Sequence, residues 1–173
     1  QQQCVGPFQL PLSNYSISKI SFDQLSGIAS SLGEQPFKGI VNISSMVSMT
    51  LGEMLTNLIF AKITDLESIK VLTNWMWSTN IESNDYLLVE AATYLTSYLE
   101  ILGIGVDGGK DSLSMNIKVN DKVVQSPNTL VLKSIAPMDN IYHKVTPNFK
   151  GAGNYIIFID MAGNGMAGNG MAG

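Results

Sequence analysis

Two long stretches in which apolar residues recur at every third or fourth position constrain this chain most. Such spacing predicts amphipathic helices that bury one face, here over residues 44–63 and 84–102. The predicted N-terminal caps are Ser44 and Ser45 for the first helix and Asn84 and Asp85 for the second. Gly103 is expected to end the second helix, because glycine readily adopts the left-handed conformation of a C-cap.

The stretches around these helices are short and apolar or alternating, which predicts strands. The predicted strands are 15–22, 68–78, 104–107, segments within 113–124, 129–136, and 154–160. A glycine turn is expected at 108–109, and Asn120-Asp121 is typical of a hairpin turn. This mixture predicts an α+β fold, an α/β sandwich in which a mixed sheet carries the two main helices on one face.

Composition excludes several classes of protein. The net charge is -4 without a basic stripe, which argues against a nucleic-acid partner. One cysteine and one histidine exclude a disulfide framework and a standard zinc site. No apolar run approaches the roughly 18 residues of a membrane span, so we expect no membrane partner and a cytoplasmic location. Charged residues are only 14% of the chain, which suggests that other protein covers part of its surface.

The end of the chain differs from the rest. A connection containing Pro and Gly at 146–153 precedes the predicted strand 154–160, and Met-Ala-Gly-Asn-Gly then repeats from residue 161. A repeat this simple cannot specify a packed core. We therefore divide the chain into a domain at 1–148 and a remainder at 149–173. That remainder comprises a linker, the first strand of a following domain and a low-complexity tail.

Glu53 and Asn57 lie four residues apart on the first predicted helix, so they share one face, and Thr50 extends that polar line. Carboxylate and amide oxygens are ligands that suit a hard cation such as Mg²⁺. The alternative is a solvated polar face, which is routine on amphipathic helices.

A second candidate site is Gly108-Gly109-Lys110-Asp111-Ser112. Glycines allow close approach of a ligand, lysine offers a charge to phosphate, and serine offers a hydroxyl. The segment is not a P-loop, because Ile104 stands where the first glycine is required and Asp111 follows the lysine. The alternative is a turn between helix and strand with solvated charges.

Two other features favour structural roles. The tryptophans of Asn74-Trp75-Met76-Trp77 are expected to pack in the core rather than to form a stacking platform. Cys4 is expected to be a buried structural thiol, because His143 is distant in sequence and no other histidine could activate it.

Several strings, in this order and spacing, resemble the large, single-chain phosphoribosylformylglycinamidine synthases, and the resemblance covers about residues 1–160. The strings are Gln-Gln-Gln-Cys-Val-Gly-Pro (1–7), Leu-Gly-Glu-Gln-Pro (32–36), Gly-Glu-Met-Leu-Thr-Asn (52–57), Asn-Trp-Met-Trp (74–77), Asp-Gly-Gly-Lys-Asp-Ser-Leu-Ser-Met (107–115) and Val-Thr-Pro (145–147). The string at 107–115 is the most specific.

The resemblance implies a fold like the N-terminal domain of aminoimidazole ribonucleotide synthetase, in the second of two pseudo-symmetric synthetase halves. It implies a carbon–nitrogen ligase of purine biosynthesis, which uses ATP and glutamine to amidate formylglycinamide ribonucleotide. The implied cofactors are ATP or ADP and Mg²⁺. The implied partners are the small-molecule substrate, the first synthetase half and a glutaminase domain, so this segment alone is expected to be inactive.

The resemblance also implies roles for individual residues. Glu53, Asn57 and Asn14 match metal ligands of an auxiliary nucleotide site, although Asn14 stands where the family usually has aspartate. Residues implied in the nucleotide and substrate wall are Gly109, Lys110, Ser112 and Asn74, with Lys110 and Ser112 the catalytic candidates. The alternatives are a non-catalytic scaffold domain and a sister enzyme of the selenophosphate synthetase or thiamine monophosphate kinase type.

Overall fold

The structure is a computed structural model that describes residues 14–159. Two sequence predictions therefore lie outside the described residues: the buried thiol of Cys4 and the repeat that begins at residue 161.

The described chain forms seven strands and three helices. The strands are β1 (Tyr15–Lys19), β2 (Gly27–Glu34), β3 (Lys70–Met76), β4 (Gly105–Ser112), β5 (Asn116–Val119), β6 (Lys122–Gln125) and β7 (Thr129–Met138). The helices are α1 (Pro36–Val41), α2 (Ile43–Leu58) and α3 (Asn84–Leu102). The two long helices are those that the apolar spacing predicts, whereas α1 is an additional short helix.

Five strands form one sheet in the order β1-β2-β7-β3-β4. All neighbours are antiparallel except β3 and β4, which run parallel, so the sheet is mixed as predicted. The parallel pair arises because α3 lies between its two strands in the chain and provides the long crossover that parallel pairing requires. Strands β5 and β6 form a separate hairpin.

The core lies between this sheet and the helices α2 and α3. Alternate residues of β2 and β7 face it, and the apolar stripes of both helices supply the other side. The largest fully buried side chains include Trp77, Met46, Met54, Ile69, Leu130 and Leu132. We call the opposite side of the sheet the open face, because no helix of the described residues covers it; Leu32 on this face is 54% exposed.

Helix α2 lies unusually close to β2 because the residues of β2 that face it are small. A Cβ atom added to Gly33 would lie 2.0 Å from the Thr50 carbonyl oxygen and 2.7 Å from the Met54 amide nitrogen. Two residues earlier, the Ser31 hydroxyl donates to the Met54 carbonyl at 2.6 Å. The backbone of the helix therefore contacts the backbone of the strand directly.

The predicted bounds of the first helix need correction. Asn42, not Ser44 or Ser45, is the N-cap, and its Oδ1 accepts the Ser45 N–H at 2.8 Å. The helix ends at Leu58 instead of Ile63. Just beyond it, Ala61 forms a β-bridge with Lys144, which draws the chain out of the helical path.

The predicted caps of the second helix are also wrong, although its end is right. Ser83 occupies the N-cap position with φ of 70°. The Asn84 side chain donates to the Ser78 carbonyl instead of capping the helix. Gly103 adopts φ of 68° at the C-cap, as the sequence predicts.

Of three further predictions about turns and strands, two differ from the structure and one is confirmed. The expected turn at 108–109 is wrong, because β4 continues through both glycines and pairs with β3 along its length. No strand forms over residues 154–159, because no other strand of the described chain pairs with them. The turn at Asn120-Asp121 is confirmed, since both residues have the positive φ angles, 47° and 63°, of a tight hairpin.

The close contact between α2 and β2 predicts the effect of substituting Gly33. Gly33→Ala should destabilise the chain by about 1–3 kcal/mol, because the added methyl meets backbone atoms that cannot rotate away. Urea unfolding measures the change. Gly108→Ala is the matched control, since its Cβ would meet only Leu72 Cδ2 at an ordinary 3.7 Å. Equal stability of the two variants would contradict the packing argument.

The observed cap predicts a difference between two neighbouring polar residues. Asn42→Ala should cost about 1 kcal/mol of stability, because it removes the acceptor for the Ser45 N–H. Ser44→Ala should change stability by less than about 0.5 kcal/mol, because Ser44 lies inside the helix. Thermal unfolding of both variants checks this order, and a larger loss for Ser44→Ala would restore the predicted cap.

Candidate functional site

Three of the predicted site residues lie together on the open face. Asn74 of β3 pairs with Val131 of β7 on one side and with Lys110 of β4 on the other. Directly paired residues share a face of the sheet, and Ser112 lies two residues beyond Lys110 on the same face. The sheet therefore brings Asn74, Lys110 and Ser112 together at the ends of two neighbouring strands.

The polar groups of this cluster suit an anionic ligand. The exposed Lys110 ammonium donates to the Ser112 hydroxyl. An ammonium and a hydroxyl on adjacent positions are suitable donors to a phosphate group. Asn74 Oδ1 is buried and has no hydrogen-bond partner among residues 14–159. Such orphaned buried acceptors are uncommon, and they often occur at functional sites.

Gly109 faces the other way. It pairs with Thr73, and its added Cβ would lie 2.4 Å from the Thr73 hydroxyl oxygen, on the side of the helices. The same hydroxyl accepts the Trp75 indole N–H at 3.1 Å. Packing against Thr73 thus explains the glycine, and its assignment to a ligand-binding wall stays a prediction.

Glu53 and Asn57 form a second cluster where α2 crosses the end of β2. Glu53 Oε2 accepts the Glu34 backbone N–H at 2.7 Å and the Gln35 side-chain amide at 3.1 Å. Asn57 Nδ2 donates to the Leu32 carbonyl at 2.9 Å. Both side chains are half-buried, and the assignment of this helix face to a metal site stays a prediction.

The hydrogen bonds leave particular oxygens for a cation. The Asn57 amide uses its nitrogen on β2, which leaves Oδ1 as a possible ligand, and the described bonds of Glu53 use Oε2 rather than Oε1. Asn14 is exposed and immediately precedes Tyr15, which pairs with Ser31 near the same end of β2. Oxygen donors of this kind fit Mg²⁺, although only one of the three is charged.

Two observations limit this second cluster. Thr50 is fully buried, so it does not extend the polar line of Glu53 and Asn57 to the surface. Among residues 14–159, no group of three or more His, Cys, Asp or Glu side chains could hold a metal ion. Among the described residues, Glu53 is therefore the one carboxylate of this cluster, and its binding of Mg²⁺ stays a prediction.

A cavity of about 650 Å³ opens beside Asn14. The rings of Tyr15 and Phe60 stack along it with centroids 6.3 Å apart, and Tyr155 also lines it. Burial raises the pKa of the Tyr15 phenol, whose hydroxyl donates to the Val145 carbonyl. Cavities of this size accommodate small organic ligands.

Sequence reasoning missed several residues of these clusters. Gln35 donates to Glu53, and Tyr15 and Phe60 line the cavity. The string at 32–36 signalled the place of Gln35 but not its contact. Tyr15 and Phe60 gave no signal, because they are far apart in sequence and meet only through the fold.

The remaining candidates have structural environments. Trp77 is fully buried and Trp75 is packed against the core, which confirms the expected core packing. His143 is exposed, and its backbone carbonyl accepts the Lys62 N–H. None of the helices within residues 14–159 has the length and apolar character needed to cross a membrane.

Comparisons with known proteins connect these features. A phosphoribosylformylglycinamidine synthase of Drosophila melanogaster is 44% identical over 88% of this chain, and that of Homo sapiens is 40% identical over 87%. The chain covers 11% of the length of each of these relatives.

The fold has a counterpart among solved structures. A Thermotoga maritima PurL structure complexed with ATP matches with a TM-score of 0.60 and 16% identity, over 79% of this chain and 22% of that one. At this identity the match shows the fold, and it confirms the expected α+β architecture. The FGAR-AT PurM_N-like domain family matches residues 1–137, and since these are most of the chain, the chain belongs to that family.

Proposed function

We propose that this chain is a segment of a phosphoribosylformylglycinamidine synthase, the ligase that amidates formylglycinamide ribonucleotide with ATP and glutamine. The observation that carries the proposal is the 44% identity to a protein of that name over 88% of the chain. The chain covers only 11% of that relative, so the complete activity requires the rest of a longer protein.

Within that enzyme, the cluster of Glu53, Asn57 and Asn14 would bind Mg²⁺ at an auxiliary nucleotide site. The hydrogen bonds of Asn57 Nδ2 and Glu53 Oε2 to the protein support this role, because each residue keeps an oxygen, Asn57 Oδ1 or Glu53 Oε1, for the metal. The cavity beside Asn14 supports a neighbouring nucleotide. Mg²⁺ commonly binds through one or two carboxylates together with nucleotide phosphates, which agrees with a single carboxylate here.

The cluster of Lys110, Ser112 and Asn74 would form part of the active-site wall, with Gly109 as backbone support. Lys110 and Ser112 would bind a phosphate of the substrate or nucleotide by hydrogen bonds and charge. Mg²⁺ bound with ATP would neutralise charge on the phosphates. The residues of this chain would orient the ligand and would not form a covalent intermediate.

The proposal extends to the surroundings of the segment. Its partners would be the first synthetase half and a glutaminase domain that supplies ammonia, and its location would be the cytoplasm. Residues 149–173 would lead into the next domain. The apolar run Tyr155 to Ile159, which is 70–95% exposed, supports this continuation, because such a surface normally packs against other protein.

The auxiliary site predicts an effect of Glu53→Gln in the full-length synthase. The substitution keeps an acceptor for the Glu34 N–H but removes the charge, so the affinity for ADP with Mg²⁺ should fall at least about tenfold. The thermal shift on adding ADP and Mg²⁺ should shrink, because ligand binding stabilises the folded state. Turnover of the folded enzyme should be largely retained.

Glu100→Gln provides the control for this experiment. Glu100 is exposed on α3 and undergoes the same change of charge away from the cluster. Its thermal shift should equal that of the unsubstituted enzyme. If Glu53→Gln gave the same shift as Glu100→Gln, the auxiliary site would be wrong.

The active-site wall predicts a different effect for Lys110→Ala. The value of kcat/KM should fall about 10-fold to 100-fold, since the change removes a charged donor to phosphate, while the melting temperature stays nearly constant because Lys110 is exposed. Steady-state kinetics on the full-length synthase measure this. Lys118→Ala is the control, because Lys118 is exposed on the β5–β6 hairpin and pairs only with Asp121 among described residues. Normal kinetics of Lys110→Ala would remove it from the wall.

A further inference from the structure

A buried relay of amide groups lies just beyond the strand ends that hold Lys110 and Ser112. Its central residue is Asn84, the first residue of α3, which is only 7% exposed. Asn84 Nδ2 donates to the Ser78 carbonyl at 3.1 Å, and Asn84 Oδ1 accepts from Asn128 Nδ2 at 3.3 Å. Both ends of this amide are therefore used, one on the chain after β3 and one on the chain before β7.

The backbone of Asn84 extends the relay to the end of β3. Its carbonyl accepts the Trp77 indole N–H at 2.9 Å, and Trp77 is fully buried. One buried asparagine thus fixes both the Trp77 side chain and the adjacent Ser78 backbone. Since a buried amide that loses its partners is destabilising, the relay favours a single arrangement of these groups.

Trp77 and Ser78 in turn hold the end of β4. The Trp77 N–H donates to the Ser112 carbonyl at 2.7 Å, and the Trp77 carbonyl accepts the Met115 N–H at 3.0 Å. A bridge between Ser78 and Ser114 continues this pairing past the strands. The place of Ser112, and of Lys110 two residues before it, therefore depends on groups that Asn84 holds.

We propose that Asn84 is a positioning residue for the ligand-binding wall: by holding Trp77 and Ser78 it fixes the end of β4 and so the place of Lys110 and Ser112. The inference rests on the proposed function of that wall. The proposed role is indirect, because the described bonds of the Asn84 side chain and carbonyl are all made to groups of the protein.

The test compares variants of the full-length synthase by kcat, KM for formylglycinamide ribonucleotide, and melting temperature. Asn84→Ala should lower kcat/KM about tenfold in folded enzyme, because small displacements of positioned groups have large kinetic effects. The same change in a background that carries both Lys110→Ala and Ser112→Ala should lower it by less than about twofold, because the effect acts through these two residues. A purely structural role would lower the melting temperature and leave kcat/KM unchanged.

Two further variants make the test decisive. Asn140→Ala is the control, because Asn140 follows the far end of β7 and its Oδ1 accepts the Tyr142 N–H outside the relay, and it should have normal kinetics. Asn128→Ala removes the donor to Asn84 Oδ1, together with the acceptor for Gln125 Nε2, and should also lower kcat/KM. This variant keeps the test valid if Asn84→Ala does not fold.

The outcomes distinguish the positioning role of Asn84 from the proposed ligand-binding wall on which it rests. Impaired Lys110→Ala with normal kinetics for Asn84→Ala, or for Asn128→Ala where Asn84→Ala does not fold, overturns the positioning role alone. A full effect of Asn84→Ala in the background that lacks both the Lys110 and the Ser112 side chains also overturns it. Normal kinetics for Lys110→Ala overturn the wall itself, and the positioning role with it.

Discussion

The direct contact between the backbones of α2 and β2 is the constraint on which both candidate clusters depend. Gly33 leaves no side chain between them, and the Ser31 hydroxyl bonds to the Met54 carbonyl on the helix. At this short separation, the side chains of Glu53 and Asn57 can reach the backbone of β2. A larger residue at position 33 would move the helix outward and separate these polar groups from the strand.

The same strand connects the two clusters through the sheet. The Glu34 N–H donates to Glu53. Across the sheet, Glu34 pairs with Val131 of β7. Val131 pairs with Asn74 of β3, and Asn74 pairs with Lys110 of β4. This row crosses three strand intervals, or about 14 Å at the usual spacing of neighbouring strands. The clusters are therefore distinct, but a displacement of β2 would reach both. Their common dependence on one sheet holds the two candidate clusters in fixed relation.

The sequence predicted the two long helices better than their ends, and it left β2 and α1 unpredicted. The apolar spacing of α2 and α3 and the hairpin turn at Asn120-Asp121 were readable because they are local patterns. The cap at Asn42 could not be predicted, because several neighbouring polar residues could equally cap the helix. The path of β4 through Gly108 and Gly109 could not be predicted either, because it depends on pairing with β3.

In the candidate site, too, local features were predictable from the sequence and long-range contacts were not. The spacing of Glu53 and Asn57 on one helix face was predictable, and so was the closeness of Lys110 to Ser112. Their contacts with Leu32, Glu34 and Gln35 depend on a strand about twenty residues earlier, and no local pattern reports such a contact. The relay through Asn84 was likewise hidden, because as a residue at a helix start it resembled an ordinary cap.

The charge of the cluster of Glu53, Asn57 and Asn14 limits which ligands the proposed site would bind. Glu53 is its one carboxylate, while Asn57 and Asn14 offer neutral oxygens. A divalent cation held by one negative charge remains largely uncompensated, so free Mg²⁺ would gain little from leaving water. A nucleoside diphosphate would supply the missing negative charge, and the aromatic cavity beside Asn14 offers room for it. In the proposed function, metal and nucleotide would therefore bind together, with the amide of Asn57 and the carboxylate of Glu53 already oriented by their bonds to β2.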